Sequence, residues 1–278
     1  MDARYRSGKL TNEFALIGRL RERFGHNGDD AAVVEAPDGP LLLAADAVVA
    51  GVHTPPGLPL EDLGWKAVVV NISDIAAMGG RPLHLLVTVA APPGTDLDRL
   101  FDGVAEASKA YVCPVVGGDL TTAENLVVTV AVTGTVDGTP VTRSGASPGE
   151  AIYVTGPLGA AAASGWTRRP VARVAEGVDA RGAGATAMID VSDGLVADLG
   201  HIADESAVGF ALDEVPVAPG ATLEQALTGG EDYELIFTAP VGRLPMGLRI
   251  GVCTAERSER TLAGQALPVD AGGWEHRF

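Results

Sequence analysis

Residues 63–80, LGWKAVVVNISDIAAMGG, decide the fold of this chain. Apart from a few positions the stretch is apolar throughout, which predicts a helix over residues 63–78 that is buried on nearly all sides. Asn71 and Asp74 interrupt the apolar character, and because they are three residues apart they lie on one face of the helix. The sequence therefore predicts a buried helix that carries a polar stripe.

Strand-like apolar runs and segments of helical periodicity alternate on both sides of this helix, and the 36 Gly and 18 Pro residues fall mostly between them. This alternation predicts a layered α+β or α/β fold. A turn cluster at Arg143–Gly149 is the expected domain boundary. Strands are predicted over residues 40–49, 84–91, 126–136, 151–155, 186–191, 209–212 and 233–238, and helices over residues 13–24, 63–78, 97–112, 193–205 and 222–228.

Acidic residues outnumber basic ones, since 36 Asp and Glu against 20 Lys and Arg give a formal net charge of −16 and a pI near 4.6. This sign opposes binding to a phosphate backbone, so nucleic acid is not expected as a partner. No apolar run approaches the roughly 20 residues of a membrane helix, and no secretory signal is readable, so we expect no membrane partner and a cytoplasmic location. Cys113 and Cys253 stand singly in apolar surroundings, which predicts buried, reduced thiols without a role.

Six Asp residues lie inside or at the end of apolar segments, where a solvated carboxylate is not expected. Two carboxylates about 4 Å apart repel by about 4 kcal/mol at an effective dielectric constant near 20, against a domain stability of about 5–15 kcal/mol. Any one of them alone could be a helix cap or a turn former, but six together favour bound cations. They are Asp30, Asp46, Asp74, Asp119, Asp190 and Asp193.

Oxygen ligands without a cluster of His or Cys favour Mg²⁺, Ca²⁺ or Mn²⁺ over zinc, and Mg²⁺ commonly binds together with phosphates. Backbone donors for a phosphate are expected at Gly117–Asp119, Ser192–Gly194 and Gly229–Glu231. The glycine patterns of P-loop, dinucleotide-binding and protein-kinase folds are absent from the sequence, as is a nucleophile elbow. These features predict a nucleotide held through metal ions and a reaction without a covalent intermediate.

Seven motifs follow one another along nearly the whole chain. In this order they resemble the thiamine-monophosphate kinases of the PurM-like superfamily, which also contains aminoimidazole ribonucleotide synthetase. NxSDxAAMG, RSGAxPG, IDxSDGL and GGEDYEL are specific in combination. The seven are GDDAAVV (28–34), ADAVVAGVH (45–53), GWKAVVVNISDIAAMGGRP (64–82), VGGDLTT (116–122), TRSGASPGEAIYVTGPLG (142–159), AMIDVSDGLVADLGHI (187–202) and TGGEDYELIFT (228–238).

The resemblance implies two AIR-synthase-like domains, 1–142 and 143–278. The first would bind metal and ATP phosphates through a mixed α+β fold whose sheet pairs in a homodimer, and the second would be an α/β layered domain. It also implies direct in-line phosphorylation of thiamine monophosphate by ATP to give thiamine diphosphate, the last step of thiamine diphosphate biosynthesis, with several Mg²⁺ ions.

Carried over by motif, the six Asp residues above are the implied Mg²⁺ ligands, and Asp74 is the central one. Catalysis is assigned to Asp74, Asp119 and Arg143. The implied contacts to ATP are Gly118, Asp119, Arg143 and Ser192.

The implied contacts to thiamine monophosphate are His53, Glu231 and Trp274, because an indole ring suits a flat cationic thiazolium. One departure from the family pattern concerns Ala44 and Ala45, which stand where hydroxyl residues are usual before Asp46. Side-chain hydroxyl ligands are therefore lost at this point of the metal site.

Two other readings remain open from the sequence. Another ATP-dependent enzyme of the superfamily, such as aminoimidazole ribonucleotide synthetase, selenophosphate synthetase or a hydrogenase-maturation relative, shares the metal and phosphate chemistry. A non-catalytic nucleotide- or metal-binding relative would keep the fold and lose turnover, for which Ala44 and Ala45 are the only indication. The GGEDYEL motif and the terminal Trp274 favour the thiamine branch.

Overall fold

The computed structural model describes residues 13–25, 31–242 and 247–267. Its helices are α1 (Glu13–Phe24), α2 (Leu60–Ala77), α3 (Leu97–Ala110), α4 (Ala160–Ala163), α5 (Val174–Gly182), α6 (Leu195–Ser206) and α7 (Leu223–Thr228). Its strands are β1 (Leu41–Val49), β2 (Arg81–Ala91), β3 (Val115–Thr122), β4 (Val127–Thr135), β5 (Ala151–Val154), β6 (Ala187–Asp190), β7 (Gly209–Leu212), β8 (Leu235–Ala239), β9 (Leu248–Thr254), β10 (Arg260–Leu262) and β11 (Gln265–Ala266).

The described chain divides into two compact units. Unit 1 comprises Met1–Ala36, Leu43–Asn71 and Leu83–Thr133, and unit 2 comprises Pro37–Leu42, Ile72–Pro82 and Gly134–Phe278. The last change from one unit to the other along the chain falls between Thr133 and Gly134. The domain boundary expected at Arg143 stays a prediction.

Unit 1 contains most of a four-stranded sheet with the order β1-β4-β2-β3, in which β2 and β3 run parallel. Its helix α3 is amphipathic, with Leu100 and Val104 fully buried on one face. Glycines allow α2 and α3 to pack backbone against backbone: a Cβ on Gly103 would lie 1.8 Å from the carbonyl oxygen of Glu61, and one on Gly64 would lie 2.1 Å from that of Leu100. Side chains at these positions would force the helices apart.

Unit 2 is built on a seven-stranded mixed sheet with the order β11-β10-β7-β9-β5-β8-β6. The short strand β5 has the sequence AIYV, which is apolar throughout because both of its faces are buried. Ile152 and Val154 point into a core formed with α6, whereas Ala151 and Tyr153 point into a second core formed with α5. Helices cover both faces of the central strands, so the alternation of a half-exposed strand is absent there.

Both cysteines are buried, as the sequence predicted. Burial raises the pKa of the Cys113 thiol to about 12. Burial, with a smaller contribution from the charge of Glu150, raises that of Cys253 to about 12 as well. These thiols are protonated and unreactive at neutral pH.

Among the residues that the structure describes, no helix is both long and apolar enough to cross a membrane.

Candidate active site

The carboxyl end of β6 meets the end of α2 within unit 2. The hydroxyl of Ser73 on α2 donates to Oδ2 of Asp190 at 2.6 Å, and both residues are almost completely buried. Asp74 follows Ser73 directly and is half-buried. The helix therefore carries buried polar side chains, and Ser73 contacts the first carboxylate of the IDVSDGL motif.

The segment after β6 folds around the side chain of Asp198, one turn into α6. Backbone N–H groups of Ser192, Asp193 and Gly194 all donate to Oδ2 of Asp198, at 3.0, 3.0 and 3.1 Å. Burial, and after it the negative charges of Asp190 and Asp193, raise the pKa of Asp198 to about 8, while the N–H groups of Asp193 and Gly194 act in the opposite direction. A buried carboxylate thus organises the loop that carries two predicted site residues.

The GGEDYEL segment lies against this same loop. The N–H of Glu231 donates to the carbonyl of Ser192 at 2.8 Å, and the N–H of Tyr233 donates to that of Val191 at 2.9 Å. Gly230, Glu231 and Tyr233 all have positive φ, at 61°, 58° and 53°. Positive φ is unfavourable for residues other than glycine, and such strain clusters at functional sites.

Two carboxylates within the GGEDYEL segment, Asp232 and Glu234, bind neighbouring parts of unit 2. Asp232 accepts N–H donors from Gly159 and from Ala161, the latter at 2.9 Å from Oδ1, and burial raises its pKa. Glu234 is 5% exposed; its Oε2 accepts from the hydroxyl of Thr155 at 2.6 Å and from Nε of Arg173 at 2.9 Å. The strained segment is therefore fixed by paired, buried groups.

Unit 1 contributes a second group of predicted residues. The backbone N–H of Asp46 on β1 donates to Oδ1 of Asn71 at 2.8 Å, and Asn71 is completely buried. His53 follows in the turn after β1, where its Nδ1 accepts the N–H of Val49 at 3.0 Å. An accepting Nδ1 places the proton of the neutral ring on Nε2.

Unit 1 also contains a cleft of about 1180 Å³, and Asp119, Ala44 and Ala45 are among the residues that line it. Gly117 and Gly118, where backbone donors for a phosphate were expected, lie inside β3 and pair with Leu86 and Val87 of β2. A Cβ on Gly118 would lie 1.8 Å from the carbonyl oxygen of Val87. The glycine therefore allows two strands to approach closely, and Asp119 is an exposed side chain within a strand.

Backbone donors at the Ser192–Gly194 loop were expected to hold a phosphate, and this expectation is wrong. Its three N–H groups bind the carboxylate of Asp198, which occupies the place of an external anion. In the neighbouring segment the N–H of Gly229 donates to Gln225 and that of Glu231 to Ser192. The N–H groups of Ser192–Gly194, Gly229 and Glu231 are therefore already bonded within the protein.

Arg143 lies in the turn cluster between β4 and β5, in unit 2, and its side chain is exposed. Ser206 holds this turn, because its hydroxyl accepts the N–H groups of Gly145 and Ala146, both at 3.1 Å, and donates to the carbonyl of Arg143 at 3.2 Å. The backbone beneath the arginine is thereby fixed, while the guanidinium faces solvent.

The loop after β6 joins Asp190, Ser192, Asp193 and Glu231 in unit 2, and Asp74 follows Ser73 on α2 in the same unit. The structure places Asp46, His53, Gly118 and Asp119 in unit 1. Asp30 and Trp274 lie outside the described residues.

Sequence reasoning missed Asp198, whose ligand atom lies within 4.8 Å of those of Asp193 and His201. Its only signal was an acidic residue one turn after the SDG sequence, a position where Asp is common on any helix.

Comparison with known proteins finds relatives of this chain along most of its length. The family model described as AIR synthase related protein, N-terminal domain, matches residues 28–136. A thiamine-monophosphate kinase from Methanospirillum hungatei is 38% identical over 268 residues, which cover 86% of this chain and 90% of that protein.

Two solved structures share the fold over most of their length, which confirms the expected two-sheet, PurM-like architecture. The thiamine-monophosphate kinase from Stenotrophomonas maltophilia K279a has a TM-score of 0.81 and 32% identity, covering 92% of this chain and 98% of that one. AaThiL complexed with AMPPCP and TMP has a TM-score of 0.80 and 31% identity, covering 95% and 97%. The chain therefore belongs to the thiamine-monophosphate kinase family.

Proposed function

We propose that this protein is a thiamine-monophosphate kinase that transfers the γ-phosphoryl group of ATP directly to the phosphate of thiamine monophosphate, giving thiamine diphosphate and ADP. The structural observation that carries the proposal is the meeting of three segments in unit 2. The end of α2, the loop after β6 and the strained GGEDYEL segment join through Ser73–Asp190 and Glu231–Ser192 hydrogen bonds. Release of ADP that depends on thiamine monophosphate, and not on thiamine, tests this proposal.

The acceptor in this reaction is itself a phosphate and is ionised near neutral pH, so it needs no strong general base. Catalysis then depends on positioning the two phosphates in line and on offsetting their charge. A phosphate oxygen of the acceptor forms the new bond to the γ-phosphorus as the bond to the bridging oxygen of ADP breaks. The absence of a nucleophile elbow from the sequence agrees with this scheme.

The donor set fits Mg²⁺, because buried and half-buried carboxylate oxygens collect around the loop after β6 without a thiol among them. Asp74, Asp190 and Asp193 would hold Mg²⁺ in unit 2. In unit 1, Asp46 and Asp119 would do so, with Asp30 as a further expected ligand. When bound, Mg²⁺ neutralises the phosphate charges and orients the groups that react.

The chain's own residues orient these carboxylates before any ligand binds. The Ser73 hydroxyl fixes Oδ2 of Asp190, and Asn71 fixes the backbone at Asp46. Ala44 and Ala45 offer no oxygen ligand from their side chains, so the metal contacts from this part of β1 rest on Asp46. Arg143 and Ser192 are the proposed contacts to ATP, through the guanidinium and the hydroxyl, and Gly118 is a further proposed contact beside Asp119.

On the acceptor side we assign His53, Glu231 and Trp274. We expect Trp274→Ala to raise the KM for thiamine monophosphate by about 2- to 30-fold, because a cation–π contact contributes about 0.5–2 kcal/mol. The kcat and the KM for ATP should stay within twofold of wild type, as measured by steady-state kinetics with each substrate varied. Unchanged KM for the acceptor together with a lower kcat would contradict the assignment.

We propose a homodimer formed through the sheet of unit 1. Leu43 and Leu86 are 71% and 46% exposed and line the cleft with Val34, and β1 is an edge strand. Exposed apolar side chains beside a free strand edge are typical of an interface. We expect Leu43→Arg to shift the protein from dimer to monomer in light scattering after gel filtration, whereas Leu248→Arg, at a 47% exposed leucine of unit 2, should leave the dimer intact. A monomeric wild-type protein would refute this proposal.

A cytoplasmic location and the domain limits 1–142 and 143–278 stay predictions from the sequence. Among the alternatives, other superfamily chemistries and a non-catalytic relative have no specific observation in their favour, whereas identity to curated thiamine-monophosphate kinases extends over most of the chain.

A further inference from the structure

Asp198 is a buried acid that the proposed reaction does not use directly. It is 1% exposed, and its Oδ2 accepts three N–H groups from consecutive residues at 3.0–3.1 Å. Oδ2 of Asp198 is therefore bonded entirely to the loop after β6.

Asp198 lies one turn into α6, whereas an ordinary N-cap residue precedes its helix and accepts an N–H group from two or three residues further on. The binding of three consecutive N–H groups by one oxygen atom therefore depends on a side chain that reaches back from the helix to the loop.

The three hydrogen bonds fix the backbone orientation of Ser192 and Asp193. From the other side the same loop is confined by close contacts, since a Cβ on Gly194 would lie 2.9 Å from Cα of Thr228, and one on Gly230 would lie 2.5 Å from the carbonyl oxygen of Ser192. The Ser192 hydroxyl and the Asp193 carboxylate project from a backbone that is held on both sides.

We propose that Asp198 is the positioning residue that sets the Asp193 carboxylate and the Ser192 hydroxyl for the Mg²⁺-bound nucleotide. This inference rests on the proposed function, because it assigns those two groups to Mg²⁺ and ATP. Outer residues that orient metal ligands typically change metal affinity about 10- to 100-fold when they are replaced.

The variants for the test are Asp198→Asn, which keeps the shape but replaces one of the two oxygen atoms by an NH₂ donor, and Asp198→Ala, which removes the acceptor. Asp204→Asn is the matched control, because Asp204 lies on the same helix, is exposed and pairs with Arg260. Calorimetry measures the Kd for AMPPCP in the presence of Mg²⁺, hydrogen exchange followed by mass spectrometry measures protection of residues 192–194, and thermal melting measures stability.

For Asp198→Asn we expect a Kd for Mg²⁺–AMPPCP raised about tenfold and faster exchange at residues 192–194, with a larger effect in Asp198→Ala if that variant folds. Asp204→Asn should stay within twofold of wild type in both readouts. A Kd within twofold of wild type in Asp198→Asn, with or without a lower melting temperature, would overturn the positioning role. Wild-type protein that does not bind Mg²⁺–AMPPCP would instead overturn the proposed function, and this inference with it.

Discussion

Asp74→Asn is expected to lower kcat for thiamine diphosphate formation by about a thousandfold while the protein remains folded. Asp74 follows Ser73, whose hydroxyl binds Asp190 where α2 meets the loop after β6, and we assign its carboxylate to Mg²⁺. Asn has the same shape but no charge, and the loss of one anionic ligand removes stabilisation of phosphate charge that is needed most in the transition state. Single-turnover kinetics at saturating ATP and Mg²⁺ measure the effect.

Glu61→Gln on the same helix is the control for Asp74→Asn. Glu61 forms an ion pair with Arg99, at 2.7 Å between Oε1 and Nε, and the Arg99 side chain is 55% exposed. Exposed pairs of this kind contribute about 0–1 kcal/mol to stability, so kcat should not change. If Asp74→Asn keeps most of its kcat, Asp74 is not the central metal ligand.

Gly230→Ala is the second substitution with a large expected effect. Gly230 has a φ of 61°, and an added Cβ would lie 2.5 Å from the carbonyl oxygen of Ser192 and 3.1 Å from the carbonyl carbon of Asp193. Because these are backbone atoms, the clash separates the loop after β6 from the GGEDYEL segment. Overpacking costs about 1–3 kcal/mol, and we expect kcat/KM to fall about 10- to 100-fold.

Gly220→Ala is the control that distinguishes the effect of this clash on activity from the effect of backbone strain. Gly220 also has positive φ, at 84°, but an added Cβ would meet nothing within 4 Å. Both variants therefore carry the cost of a left-handed Ala, about 1–2 kcal/mol, and only Gly230→Ala displaces the loop. Thermal melting should show a small loss of stability from strain in Gly220→Ala and a larger loss in Gly230→Ala, and steady-state kinetics should show kcat/KM lowered in Gly230→Ala alone. Equal kcat/KM in the two variants would show that the contact between the loops does not matter for activity.

Much of the fold could be predicted from the sequence because its signals are local. Helix α1 has the predicted limits of residues 13–24, and α2 begins three residues before its predicted start at Leu63. Strand β3 was missed because Gly117 and Gly118 are typical of turns. Their actual reason, the close approach of Val87 on the neighbouring strand, depends on a pairing that no local pattern reveals.

The carboxylates of the candidate site could be predicted from the sequence, but the partners of the backbone N–H groups around them could not. Asp190 and Asp193 stand out because they lie beside apolar runs, whereas Asp198 resembles any acidic residue in the first turn of a helix. Which group the N–H donors of Ser192–Gly194 bind depends on how the chain folds back after one turn of α6. The N–H groups of Ser192–Gly194 were therefore expected to bind a phosphate, whereas in the structure they bind the carboxylate of Asp198.

The most direct test of the function is to incubate the purified protein with ATP, MgCl₂ and thiamine monophosphate and to quantify thiamine diphosphate and ADP by chromatography. Controls contain thiamine, no acceptor, or EDTA in excess of Mg²⁺. The account predicts equal amounts of thiamine diphosphate and ADP, formed only with thiamine monophosphate and abolished by EDTA. ADP without thiamine diphosphate, or neither product, would contradict it.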